Sequence, residues 1–170
     1  MIKRKTFIFV LLLATVFLMY ELSNINSIVK PYVDFLFPKI KTEKQVGDFL
    51  LNNEKDIKEM VNSLILLPYG HIEIFSWLLL DDSTIVVDDA QVLVGDVIKG
   101  SDLFFEYFKA GKIKYIEKYN NAIYISTDTT RGYDQGIVYL EENTSPTSTN
   151  NIRIVSANKI CKNYYFYRAK

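Results

Sequence analysis

The chain opens with a short basic segment that leads directly into an apolar run. Residues 1–5 carry three positive side chains, and residues 6–22 are almost entirely apolar. Positive charge on a short leading flank keeps that flank in the cytoplasm and directs the following chain across the membrane. The run therefore predicts a membrane segment, and it restricts globular folding to the residues that follow. The expected membrane-anchor residues include Phe7, Leu12, Phe17 and Leu18.

Length leaves two fates open for this segment. A helix of about 17 residues rises about 25 Å, slightly less than a hydrocarbon core of about 30 Å. A signal peptidase needs small side chains one and three positions before the cut, and residues 21–27 contain no Ala-x-Ala pattern. The sequence favours an uncleaved signal-anchor in a single-pass cell-membrane protein. The alternative is a cleaved signal that releases a secreted or periplasmic protein.

The remaining chain divides into a connector and one domain. Residues 23–41 are interrupted by Pro31 and Pro38, and residues 42–170 form the expected extracytoplasmic domain.

The 20 basic and 20 acidic residues cancel, which argues against nucleic acid as a partner. Cys161 is the only cysteine, so no intramolecular disulfide can form and the domain must depend on its core.

The pattern of residues 42–170 predicts an α+β fold, with short helices packed on a curved antiparallel sheet. A capping box at residues 42–45 starts one helix, and apolar residues at three- and four-residue steps predict a second from Asn53 towards Pro68. Ser101 and Gly111 bound a third. Asn120-Asn121 predicts a tight hairpin. The predicted strands are residues 71–80, 85–87, 91–94, 113–119, 122–127, 137–140, 152–156 and 160–167.

Tyrosines recur along the later strands. Tyrosine is enriched where an apolar surface meets a polar rim, as in protein interfaces, although it also suits pleated sheets in general. A tyrosine-bearing sheet face is therefore a candidate binding surface. The predicted binding residues are Tyr115, Tyr124, Tyr139, Tyr165 and Tyr167.

The sequence contains few signs of catalysis. His71 is the only histidine and Cys161 the only thiol, and the sequence has no Gly-x-Ser-x-Gly, His-Glu-x-x-His or Gly-rich phosphate motif. We expect His71 to be structural or solvated, and we expect no cofactor, metal or enzymatic activity. Weak alternatives are a Ca²⁺ site or a carboxylate acid/base pair, if acidic turns meet in space. The residues concerned are Asp81, Asp82, Asp88 and Asp89.

These observations predict a membrane-anchored, extracytoplasmic protein-binding domain without enzymatic activity. It would act as an inhibitor or immunity-type protein at the bacterial cell surface or in the periplasm, with another protein as its partner. Two alternatives remain open. One is a structural subunit of an envelope or secretion assembly that uses the apolar segment and connector for helix packing. The other is a secreted hydrolase that uses the turn aspartates.

Overall fold

A computed structural model describes residues 42–130, 133–142 and 145–170, so the predicted anchor and connector lie outside the described residues. The helices are α1 (Glu43–Asn52), α2 (Glu54–Ile65), α3 (Val94–Val97) and α4 (Asp102–Lys109). The strands are β1 (His71–Phe75), β2 (Thr84–Val87), β3 (Ala90–Leu93), β4 (Tyr115–Tyr119), β5 (Ala122–Thr130), β6 (Tyr133–Leu140), β7 (Ile154–Cys161) and β8 (Tyr164–Ala169). None of the described helices has the length and hydropathy of a membrane span.

The first two helices form where the sequence predicts them, but only one has a side-chain cap. The Thr42 hydroxyl accepts the Gln45 N–H at 3.3 Å, and Gln45 Oε1 accepts the Thr42 N–H at 2.8 Å. This reciprocal pair is the predicted capping box. Asn53 precedes α2 without a side-chain cap, because its amide instead donates to Phe49 O at 2.7 Å.

The strands form one eight-stranded sheet in the order β3-β2-β1-β4-β5-β6-β8-β7. Every neighbouring pair is antiparallel, which confirms the predicted antiparallel sheet. β1 pairs with β2 on one side and with β4 on the other. The second pairing joins strands that are separated in sequence by two further strands and two helices, and it assembles the site described below.

The helices cover one face of the sheet, as predicted. The main core joins apolar residues of α1, α2 and α4 to the strand residues that face them, and these strand residues are Ile72, Ile74, Ile85, Val87, Ile116, Ile123, Ile125, Ile137 and Phe166. The opposite face holds a second, smaller cluster, which consists of Tyr115, Tyr124, Val138, Leu140, Ile152, Tyr167 and Ala169.

Residues 145–152, called here the covering segment, lie over part of this second face. The Tyr124 hydroxyl donates to Thr147 O at 2.6 Å, and Ile152 is buried in the second cluster. Residues between β6 and β7 that belong to no strand therefore cover part of the second face.

Several predicted strands have different bounds in the structure, and the largest differences are at β1, at β6 and in the last hairpin; β6 begins at Tyr133 rather than at residue 137. The strand expected over residues 71–80 ends at Phe75 and is followed by a π-helical turn at Leu78–Asp82. The leucine run lacks the alternation of a half-buried strand, which explains this end. The last hairpin turns at residues 162–163, whereas the sequence suggested a break near residues 157–159. β7 is an edge strand, and its polar side chains face solvent without ending it.

Candidate functional site

The pairing of β1 with β4 places polar side chains opposite one another. Glu73 lies directly across from Glu117, His71 across from Tyr119, and Phe75 across from Tyr115. Alternate residues of a strand share a face, and the intervening isoleucines enter the helix-covered core. The polar and aromatic members therefore share the second face. Like charges placed directly opposite are destabilising unless something compensates them.

His71, Glu73 and Glu117 form what is called here the polar cluster. His71 Nε2 lies 3.3 Å from Glu117 Oε1 and 3.5 Å from Glu73 Oε1. The Glu117 side chain is fully buried, whereas those of His71 and Glu73 retain 18% and 13% exposure. One potential ligand atom from each residue lies within 4.8 Å of the other two. Within the described part of the chain, these three residues form the one group of His, Cys, Asp or Glu side chains that is compact enough to hold a metal ion.

The covering segment and β4 support both carboxylates with hydrogen bonds. The Thr149 hydroxyl donates to Glu117 Oε2 at 3.0 Å. The Tyr115 hydroxyl donates to Glu73 Oε1 at 3.3 Å, and Asn151 Nδ2 also donates to that oxygen. The orientation of each carboxylate is thus fixed by groups outside the polar cluster.

Burial controls the ionisation of the cluster. Desolvation raises the pKa of Glu117 above its ordinary value, and the hydrogen bonds and the nearby His71 offset this only in part. Desolvation and the two neighbouring glutamates raise the pKa of Tyr115, so its hydroxyl remains a donor. The site therefore disfavours two bare carboxylates and favours a bound proton or cation.

An aromatic cavity adjoins the polar cluster. It is open to solvent, has a volume of about 460 Å³ and has aromatic walls formed by Phe75, Trp77, Tyr115 and Tyr133. The Phe75 ring centroid lies 4.9 Å from that of Tyr115 and 6.0 Å from that of Trp77. Trp77 is 60% exposed and Tyr133 is 52% exposed. The other lining residues are Ser76, Lys114, Thr129, Asp134, Asn151, Ile152 and Lys170.

Polar groups border the cavity on two sides. Tyr115 and Asn151 line it and also contact Glu73, which connects it to the polar cluster. On the other side, Asp134 accepts hydrogen bonds from the hydroxyls of Ser126 and Tyr167, the latter at 2.9 Å. Desolvation raises the pKa of Asp134. The cavity is thus an apolar recess with a few convergent polar groups, the usual form of a ligand site.

The predicted tyrosines do not form a single surface. Tyr124 and Tyr167 are fully buried, with ring centroids 5.8 Å apart. Tyr139 packs against the helix-covered core. Tyr165 is half-buried on the second face, where Lys159 Nζ lies 5.6 Å from its ring centroid. Of the five, Tyr115 lines the aromatic cavity.

The turn aspartates lie in two exposed places. Asp81 and Asp82 end the π-helical turn, and Asp88 and Asp89 form the β2–β3 turn. The four residues of β2 separate the pairs, a span of about 13 Å at about 3.3 Å per residue. Asp88 Oδ1 accepts the His71 N–H at 3.1 Å. The two pairs are not brought together.

Glu73 and Glu117 were not singled out from the sequence, and His71 was expected to be structural or solvated. The sequence held one signal, the two motifs His71-x-Glu73 and Tyr115-x-Glu117. In each motif, two residues with polar groups stand two positions apart and an apolar residue lies between them. Residues two apart share a face, so each motif predicts a local polar patch. Nothing local predicts that the two patches meet.

No protein-family model matches the chain, and comparisons with curated proteins and solved structures give no significant match.

Proposed function

We propose that residues 42–170 form a non-enzymatic protein-binding domain that holds its partner at the aromatic cavity. In this proposal, residues 6–22 tether the domain to the cell membrane, with the domain outside the cytoplasm. The observation that carries the proposal is the exposure of Trp77 and Tyr133 beside a recess that already contains two further aromatic rings.

Exposed aromatic side chains around a recess support protein binding. Tryptophan and tyrosine are enriched among the few residues that supply most of the free energy of protein association. Burying the exposed parts of Trp77 and Tyr133 against a partner would contribute about 25 cal/mol for each Å² of apolar surface removed from water. The cavity volume of about 460 Å³ is large enough to receive an anchor side chain from the partner.

The charges around the cavity suggest the chemistry of that anchor. Lys114 and Lys170 line the cavity, and Lys170 Nζ lies 5.5 Å from the Tyr133 ring centroid. Asp134 also lines it, but burial raises the pKa of this carboxyl and two hydroxyls already bond to it. We therefore expect an apolar or aromatic anchor with an acidic group beside it, within reach of the lysines.

The other functions considered from the sequence have less support. A hydrolase built on the turn aspartates would need them close together, and β2 separates the two pairs. A subunit of an envelope assembly would use residues 1–41, which lie outside the described residues.

The proposal can be tested by affinity purification of the full chain from detergent-solubilised membranes. The tag belongs before Met1, because Lys170 lines the cavity. The double variant W77A/Y133A should lose a co-purifying protein that the wild type retains. Leu66→Ala is a matched control, since Leu66 is 82% exposed and does not line the cavity.

Each outcome has a defined meaning. Loss of the same protein from W77A/Y133A but not from L66A supports the cavity as the binding surface, provided that circular dichroism shows an unchanged fold. Retention by both variants contradicts the assignment of the cavity. A wild-type chain that carries no protein partner contradicts the class of function itself.

A further inference from the structure

We propose that His71, Glu73 and Glu117 bind a divalent transition-metal ion, with Zn²⁺ as the best fit. This inference goes beyond the partner-binding role proposed for the aromatic cavity, which adjoins the site through Tyr115 and Asn151. The inference depends on the distances between the ligand atoms, on the charges that the sheet register brings together, and on the hydrogen bonds that hold the carboxylates.

Two of the three distances between ligand atoms match a tetrahedral site, and the third, between the two carboxylates, is at most 4.8 Å. Ligands about 2.0–2.1 Å from a tetrahedral Zn²⁺ lie about 3.3–3.4 Å from one another. His71 Nε2 lies 3.3 Å from Glu117 Oε1 and 3.5 Å from Glu73 Oε1. One nitrogen thus faces both carboxylates at the separation of tetrahedral ligands. Three protein ligands leave a fourth position for water, as in catalytic zinc sites.

The charges also favour a divalent ion. The register places Glu73 directly across from Glu117, and Glu117 is fully buried. A single histidine supplies at most one positive charge against two carboxylates. A dipositive ion balances both, and a mixed imidazole and carboxylate set suits Zn²⁺ better than Mg²⁺ or Ca²⁺, which prefer oxygen ligands alone.

Neighbouring residues already orient the carboxylate ligands. Thr149 donates to Glu117 Oε2, the oxygen that does not face His71, whereas Tyr115 and Asn151 donate to Glu73 Oε1, the oxygen that faces His71. Outer hydrogen bonds of this kind fix ligand geometry in metal sites. His71 and Glu73 keep some exposure, which gives an ion a route from solvent.

The test uses the full chain in detergent, stripped with EDTA and titrated with ZnCl₂ in equilibrium dialysis with metal analysis. We expect one Zn²⁺ per wild-type chain. His71→Gln and Glu117→Gln remove a ligand, so each should lose more affinity than the about 10–100-fold that loss of an outer hydrogen-bonding partner costs. The double variant D81N/D82N is the matched control, because it removes two exposed carboxylates elsewhere and should bind like the wild type. Cobalt substitution should give the visible d–d bands of a four-coordinate site.

A second measurement separates lost binding from misfolding. Glutamine at position 117 can accept from Thr149 and donate towards Glu73 while removing a buried charge. Glu117→Gln should therefore unfold no earlier than the wild type in EDTA, yet its melting temperature should not rise with ZnCl₂. The wild-type melting temperature should rise.

Three results would overturn the proposal. They are the absence of saturable Zn²⁺ binding by the wild type, equal binding by the Gln variants, and an equal response of the wild type to MgCl₂. Partner capture by W77A/Y133A is a different measurement, so failure of one proposal remains distinguishable from failure of the other.

Discussion

Replacement of Gly136 by alanine should destabilise the domain strongly, because β5 approaches β6 very closely at this residue. Gly136 pairs with Ser126 beside an irregularity in the β5–β6 ladder. A Cβ at position 136 would lie 2.0 Å from Ile125 O and 2.9 Å from the Ile125 carbonyl carbon. These are backbone atoms, so no side-chain rotation can relieve the overlap.

The expected loss of stability follows from the displacement of β5 that the new methyl group requires. Overpacking in a core costs about 1–3 kcal/mol and occasionally more. Here β5 must also move away from β6, which weakens backbone hydrogen bonds worth about 0.5–1.5 kcal/mol each. We expect the free energy of unfolding to fall by about 3–4 kcal/mol. For a domain of about 130 residues, this lowers the melting temperature by about 11–15 °C.

Thermal and urea unfolding followed by circular dichroism would measure this loss in the full chain in detergent. Gly95→Ala is the matched control, because a Cβ there meets no atom within 4 Å and the residue lies in α3. Alanine in a helix is favoured over glycine by about 0.5–1 kcal/mol, so this variant should equal or exceed the wild type in stability. A loss below about 1 kcal/mol in Gly136→Ala would refute the close approach of the two strands.

Three further predictions concern a cap, the covering segment and a buried acid. Thr42→Ala should lower the free energy of unfolding by about 1 kcal/mol in urea titrations, whereas Ser101→Ala should have little effect, because Ser101 makes no side-chain cap bond. Tyr124→Phe removes the hydrogen bond to Thr147 O, so it should lower the free energy of unfolding by about 1–2 kcal/mol and speed proteolysis in the covering segment. An unchanged cleavage rate would contradict this. Burial raises the folded-state pKa of Asp134 above 3.8, so the folded state binds this proton more tightly than the unfolded state does. The contribution of Asp134 to stability therefore decreases as the pH rises from 3.8 through the folded-state pKa. Unfolding midpoints across this range should therefore show the wild type losing stability relative to Asp134→Asn, and a constant difference would contradict the raised pKa.

Local patterns in the sequence determined most of the secondary structure. The capping box at Thr42 and the apolar spacing of α2 act within one or two helical turns, so they are readable without tertiary information. Asn120 adopts the left-handed conformation, with φ of 53°, in the predicted β4–β5 hairpin. These features depend on backbone geometry and on neighbours only a few residues away.

The tyrosines show where sequence reasoning became incomplete. The register places Tyr124 and Tyr165 on the same side of the sheet, because both pair with Val138. Alternation within one strand reveals neither this register nor what covers that side. Residues 145–152 cover part of it, and the Tyr124 hydroxyl donates to Thr147 O within this segment. Tyr115 instead lines a cavity that is bordered by Trp77, the residue just before the π-helical turn. Whether a tyrosine is buried or accessible therefore depends on a loop and a turn with no periodic pattern of their own.

The sequence alone determined the basic and apolar leader, three of the four described helices, the α+β class and the antiparallel strands, because these follow from composition and short-range periodicity. The helix α3 (Val94–Val97) was not predicted, and residue 94 was expected to end a strand. Tertiary structure alone decided that β1 pairs with β4 and that the covering segment closes over them. His71 and Glu117 are 46 residues apart in sequence, and Glu73 and Asn151 are 78 apart, yet all four meet in one network. The isoleucines on the other face of β1 and β4 must enter the helix-covered core, and this requirement fixes the register of the two strands. The register in turn places the two glutamates opposite each other.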